Sequence, residues 1–384
     1  MKTFDKSSKL EHVAYDIRGP VLDEAERMMA NGEKILRLNT GNPAEFGFTA
    51  PDEVIRDLIL NVRNSEGYSD SRGIFSARKA IMQYCQLKGI PNVDLNDIYL
   101  GNGVSEMISI SRQALLDDGD EVLIPMPDYP LWTACVSLAG GKAVHYICDE
   151  QADWNPDIDD IKSKITSNTK AIVVINPNNP TGALYPKDIL EEIVMDGAKH
   201  TAIASLAPDV FCITMNGLSK SHRICGFRVG WMILSGRKDH VKGYIEGINM
   251  LANMRLCANV LAQQVVQTSL GGYQSGDELL LPGGRIYEQR NFITDAINDI
   301  PGLSVVKPKA GLYIFPKIDR NLYRIDDDEQ FVLDFLKQEK IMLVHGRGFN
   351  WKDPDHFRIV YLPRVEELAE IQEKMTRFLR QYKK

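Results

Sequence analysis

The feature that most constrains this chain is a regular alternation of short apolar runs with helical patterns, beginning at Ile98. The periodicity predicts strand 98–100, helix 105–116, strand 121–124, helix 131–138 and strand 143–147. Runs 171–175 and 211–215 are apolar throughout, which suits strands of a parallel sheet covered on both faces. Together they predict a doubly wound α/β core with a mostly parallel central sheet covered by helices. Beyond Trp231 the texture turns helical, over 241–270 and 284–300. The remainder mixes strands at 305, 312–315, 341–344 and 357–361 with two helices. The first fifty residues also stand outside the regular rhythm, with a helix starting at Pro20 and a strand 35–38 that stops in Asn39-Thr40-Gly41-Asn42-Pro43. The expected organisation is therefore a large domain, 51–289, and a smaller, discontinuous α+β domain, 1–50 plus 290–384.

Composition narrows the function classes. The 52 acidic against 45 basic side chains give a formal charge of −7 without long single-sign blocks, which argues against nucleic acid as a partner. Six cysteines with no CxxC pair read as reduced thiols. The polar start and the lack of any 18-residue apolar stretch predict a cytoplasmic protein with no membrane association. His222 and Cys225 have metal-like spacing but no second pair, so no metal site is expected.

Several short motifs close predicted strands with residues fit for chemistry. Lys220 ends the run Asn216-Gly217-Leu218-Ser219-Lys220 behind an apolar strand. A lysine held there by small residues suits a Schiff base, because an imine needs an amine whose proton desolvation or a neighbouring cation has loosened; a lysine after a strand is also a common solvated group. Arg228 is either that cation or a bidentate phosphate ligand. Gly101-Asn102-Gly103-Val104-Ser105 joins strand to helix and offers backbone N–H groups to an anion, or serves as a tight turn. Tyr129, in Asp128-Tyr129-Pro130, falls at the carboxyl edge of the sheet, where a ring stacks on a planar ligand or plugs the edge. Asn179, within Asn176-Pro177-Asn178-Asn179-Pro180-Thr181-Gly182, presents an amide at a fixed place. Arg358 lies inside the apolar run 357–361 and needs an anion, either a structural carboxylate or that of a substrate.

Together these residues resemble the class I pyridoxal-phosphate-dependent aminotransferases of fold type I, over nearly the whole chain. Within that family the likeness is to the bacterial glutamate-pyruvate (alanine) aminotransferases, through KSSKLEHVAYDIRGPV, NPAEFGF, GYSDSRG, PDYPLW, NPNNPTG, GLSK, FRVGW and HFRIVYLPR. The resemblance implies amino-group transfer between L-alanine and 2-oxoglutarate by a ping-pong mechanism with pyridoxal 5'-phosphate on Lys220. It further implies phosphate contacts from Val104, Ser105, Ser219 and Arg228, a ring stacked on Tyr129 and a bond from Asn179 to the ring oxygen. The substrate, a small amino or keto acid, would be held at its carboxylate by Arg358 and the Gly41 backbone, with Tyr15 and Arg18 covering it. Tyr68 resembles a tyrosine that reaches the phosphate of a neighbouring subunit, which implies a homodimer. Another amino acid, or β-elimination, remains open on the same scaffold.

One departure stands out. In the family a strand between NPTG and the lysine carries an Asp for the pyridine nitrogen and, three residues on, a Tyr for the ring hydroxyl. Here 37 residues separate Gly182 from Lys220, resembling the family with about twenty to twenty-five residues removed after His200. Asp188, Asp196 and Asp209 remain, but none ends an apolar strand or is followed by a tyrosine at that spacing. The lost strand would leave its neighbours' backbone groups unpaired, and the lost acid would weaken the electron sink; a catalytically silent protein of this fold is the reading that follows if the segment is truly absent.

Overall fold

The structure is a computed structural model that describes residues 5–10, 13, 19–186, 192–193, 199–200, 202–206 and 208–384. In chain order the strands used below are β1 (Leu36–Arg37), β2 (Ile98–Asn102), β3 (Glu121–Met126), β4 (Lys142–Asp149), β5 (Asn155–Pro156), β6 (Thr169–Ile172), β7 (Cys212–Gly217), β8 (Val229–Ser235), β9 (Tyr313–Ile314), β10 (Ile341–Met342), β11 (Val344–His345) and β12 (Phe357–Val360). Helices Val104–Leu115, Leu131–Leu138 and Arg285–Asn298 fall close to the expected positions; the expected helical run 241–270 is divided into Lys242–Met254, Val260–Gln264 and Val266–Gly271, and the two C-terminal helices are Asp328–Glu339 and Val365–Leu379.

Among the described residues the central strands form two separate sheets. One runs β2-β8-β7, with β8 antiparallel to both neighbours, and the other runs β5-β4-β3-β6, in which β3 is parallel to β4 and to β6. The parallel pairing expected of the apolar runs thus holds for β3, β4 and β6 but not for run 211–215: among the described residues β7 pairs only with β8, antiparallel, and all seven residues of β8 are buried. An apolar run reports burial on both faces and carries no direction. Among the described residues β6 pairs only with β3 and β7 only with β8, so each presents an open edge. Burial follows the pairing: every residue of β7 is half-buried where its neighbour β8 is wholly buried, and Ile172 of β6 is 45% exposed.

Apolar packing gathers residues from both ends of the chain. Val21, Ala25, Met28, Leu38 and Phe48 belong to one buried cluster with residues from Ile286 to Leu379. β1 pairs in parallel with β10, and Val360 N–H donates to the Leu38 carbonyl at 3.2 Å. This pairing carries the 39–42 turn against β12, where Arg358 lies. A second cluster, including Leu100, Leu218, Val229 and Trp231, buries the ends of β2, β7 and β8 below the segment that bears Lys220.

Candidate active site

Lys220 stands three residues beyond β7, on a segment anchored by Leu218, which is 1% exposed and whose N–H donates to the Val229 carbonyl at 3.2 Å. The lysine side chain crosses to the 39–42 turn, where Nζ donates to the Gly41 carbonyl. Gly41 is required there by close approach, since a Cβ would come within 2.5 Å of the Tyr313 hydroxyl.

Lys220 lines a cavity of about 990 Å³ together with Gly41, Val104, Ser105, Tyr129, Asn179, Ser219, Arg228 and Arg358. Nine residues expected from sequence are therefore brought to one place. Tyr68 is not among them and is 84% exposed. Tyr15 and Arg18 lie outside the described residues, as do Asp188 and Asp196; Asp209 sits in the turn before β7 and does not line the cavity. His222 and Cys225 do not converge on a metal position: the His222 ring bonds the Ser269 carbonyl and the Ser221 hydroxyl, and Cys225 donates to Asn42. Among the described residues no cluster has a metal-ligating arrangement.

One end of the cavity is built for an anion. Gly103 takes φ +84°, a conformation side chains with a Cβ rarely adopt, and lets helix Val104–Leu115 start directly against the Arg228 guanidinium, which a Cβ would strike. Arg228 itself holds φ +58°, an uncommon backbone state for a non-glycine residue and of the kind that clusters at functional sites. Its Nη1 and Nη2 donate to the carbonyls of Cys225 and Asn102 at 3.1 and 3.4 Å. The unpaired N–H groups of the helix start, its dipole, the Ser105 hydroxyl and this guanidinium all favour negative charge.

The other end holds a buried arginine. Arg358, on β12, is 3% exposed, and its guanidinium lies between the rings of Tyr313 and Phe349, 4.5 and 4.6 Å from their centroids. Nη1 donates to Asn179 Oδ1 at 2.9 Å and Nη2 to the Asn39 carbonyl. Both of these acceptors are neutral oxygens.

Sequence reading missed Arg37, Asn39, Thr40 and Tyr313, which also line the cavity. It also missed Asp128, beside Tyr129. This carboxyl is fully buried; Asn350 Nδ2 donates to Oδ1 at 2.6 Å and the Thr133 hydroxyl to Oδ2 at 3.4 Å. The Asp128 N–H donates to the Phe349 carbonyl at 2.9 Å, so the turn bearing Tyr129 is tied to the loop whose ring backs Arg358. Burial pushes the Asp128 carboxyl up to about 7, and burial also lowers His145, 3.9 Å away, to about 4. The raised Asp128 value means that the folded state binds the proton more tightly, so its contribution to stability is lost as pH rises from the usual carboxylate range through about 7. His145 acts with opposite sign, gaining as pH rises from about 4 to the usual imidazole range. Asp128→Asn, which cannot ionise, is accordingly expected to gain a few kcal/mol relative to wild type between pH 5 and pH 8. Urea unfolding of both proteins at the two pH values checks this; an unchanged difference contradicts it.

The comparisons with known proteins agree with this geometry. The sequence profile of the family "Aminotransferase class I and II" matches residues 33–374. The chain is 59% identical to a glutamate-pyruvate aminotransferase AlaA from Haemophilus influenzae, covering all of both proteins, and 53% identical to an alanine aminotransferase from Mycobacterium tuberculosis, covering all of this chain and 94% of that one. A crystal structure of an aminotransferase from Escherichia coli superposes with a TM-score of 0.97 at 57% identity, each chain covered completely. The first of these alignments runs over 403 positions against the 384 residues here, so about nineteen positions of that relative have no counterpart in this chain. The chain belongs to the class I and II aminotransferases.

Proposed function

We propose that this enzyme moves an amino group between L-alanine and 2-oxoglutarate, with pyridoxal 5'-phosphate as cofactor and a ping-pong order of half-reactions. The observation that carries the reading is the placement of one amine, Lys220, in a cavity with an anion-binding helix start and Arg228 at one end and a buried arginine, Arg358, at the other. The donor set fits the cofactor. Arg228, Ser105, Ser219 and the Val104 N–H are suited to its phosphate, Tyr129 to its ring, and Lys220 to its aldehyde. Asn179 spends its oxygen on Arg358, which leaves its NH₂ to donate to the ring oxygen.

When bound, the cofactor supplies the electron sink for the bond broken at the substrate's α-carbon. The chain's own residues do the rest. Arg358 binds the α-carboxylate bidentately and so fixes which α-carbon bond faces the cofactor. Lys220 then takes the α-proton and returns it in a 1,3-shift, as general base and acid. The Gly41 carbonyl, which accepts from Nζ, holds the amine on the substrate side. We infer a homodimer in the cytoplasm, with Tyr68 serving the partner's site; its exposure supports this, and no helix among the described residues is long and apolar enough to cross a membrane.

The test is a visible spectrum of cofactor-loaded protein before and after alanine, then after 2-oxoglutarate. The colour is expected to bleach with the first and return with the second; glutamate followed by pyruvate should repeat the cycle. The second reading, a silent protein that keeps the fold, is favoured, among the described residues, by the open edges of β6 and β7 and by the single carboxylate, Glu26, that lines the cavity. Cofactor retention without bleaching by any amino acid would establish it in place of the first.

A further inference from the structure

An enzyme that works on both alanine and glutamate must place a methyl group and a second carboxylate in one cavity. Among the described residues four cations line that cavity, Arg37, Lys220, Arg228 and Arg358, against one carboxylate, Glu26. Lys220 is engaged with the Gly41 carbonyl, Arg228 with the carbonyls of Asn102 and Cys225, and Arg358 with Asn39 and Asn179. Arg37 differs. Among the described residues its guanidinium makes no hydrogen bond and no ion pair, and its Nε is buried. A buried donor without an acceptor is unfavourable, more so when it belongs to a charged group, so an arginine left in this state at a cavity wall points to an anion that arrives with the ligand.

The backbone indicates which anion. Arg37 ends β1, and the chain continues in extended pairing: Leu38 N–H donates to the Met342 carbonyl at 2.9 Å, and the Leu38 carbonyl accepts from Val360 N–H at 3.2 Å. Residues two apart on an extended chain face the same side, which puts Arg37 and Asn39 on one face, and both line the cavity. Their separation along the strand is about 6.6 Å. Asn39 is also the residue whose carbonyl holds Arg358. The carboxyl carbons of a five-carbon dicarboxylate, four bonds apart, are separated by on the order of 5 Å. An α-carboxylate on Arg358 therefore brings the distal carboxylate within reach of the Arg37 side chain.

We propose that Arg37 is the specificity-determining residue that receives the distal carboxylate of glutamate and 2-oxoglutarate, and that alanine and pyruvate leave it unused. The proposal rests on the alanine–2-oxoglutarate reading of the site.

The test uses the cofactor-loaded full chain with Arg37→Gln and Arg37→Lys. In Arg37→Gln, kcat/KM for glutamate and for 2-oxoglutarate is expected to fall about 10- to 100-fold while alanine and pyruvate stay within about twofold, with partial recovery in Arg37→Lys. A second readout is independent of turnover: glutarate, an unreactive five-carbon dicarboxylate, should bind Arg37→Gln more weakly by the same factor, whereas butyrate should bind both proteins alike. Equal losses for alanine and glutamate, or no loss of glutarate binding, overturn the proposal. Should wild type process neither amino acid, the functional reading fails, and the contrast between glutarate and butyrate still decides the role of Arg37.

Discussion

Lys220→Ala is expected to lower turnover by at least about 10³-fold, because the substitution removes both the nucleophilic amine and the general base, and base catalysis alone typically contributes 10²–10⁴-fold. Folding should be little affected. The side chain is not part of an apolar cluster, and among the described residues it bonds the Gly41 carbonyl in an open cavity. Borohydride treatment of cofactor-loaded wild type, followed by peptide mapping, should find the added mass on the peptide containing Lys220; the variant should show none there. A variant that keeps more than a tenth of wild-type turnover, or a wild type modified elsewhere, sinks the assignment.

Arg358→Ala comes next in size, and its expected signature is different. Truncating one partner of a buried, hydrogen-bonded charge pair typically costs 2–5 kcal/mol, so kcat/KM should drop on the order of 10²–10³-fold. The loss should be the same for alanine and glutamate, since both present an α-carboxylate. Arg358→Lys keeps the charge but not the planar fork, and the fork is what Tyr313 and Phe349 clamp and what Asn179 and the Asn39 carbonyl accept from. It should therefore recover only a small part of the loss. Steady-state kinetics with both amino acids checks the prediction; a loss confined to one of them refutes it.

The residues legible in the sequence were those that a local motif holds at a strand end. Gly103 before a helix, Lys220 after a run of small residues and Arg358 inside an apolar strand each announce a constraint that neighbours in the chain create, and the cavity brings Lys220 and Arg358 together with Val104 and Ser105, which follow Gly103. Arg37 and Tyr313 announce nothing of the kind. Each lies in a strand of two residues whose pairing partners are distant in sequence, β10 for the first and β12 for the second, and only tertiary packing sets them beside Lys220 and Arg358. Asp128 was hidden differently. In Asp128-Tyr129-Pro130 the aromatic ring drew the functional reading, while an aspartate before a turn is ordinarily a solvated or capping group. Its burial depends on Asn350, more than two hundred residues away. The layout of the sheets was legible only in part, because uniformly apolar strands such as β8 show that they are covered and not which way their neighbours run.

The gap between the two central sheets has a consequence for handling the protein. β7, which leads directly to Lys220, turns one row of amide and carbonyl groups toward no described strand, and β6 does the same beside a largely exposed isoleucine. Such rims are templates for any extended apolar segment that meets them, including one from another molecule. Concentrating the purified chain therefore sets intermolecular strand addition against the native assembly, and charged residues introduced along that rim are the means of suppressing it.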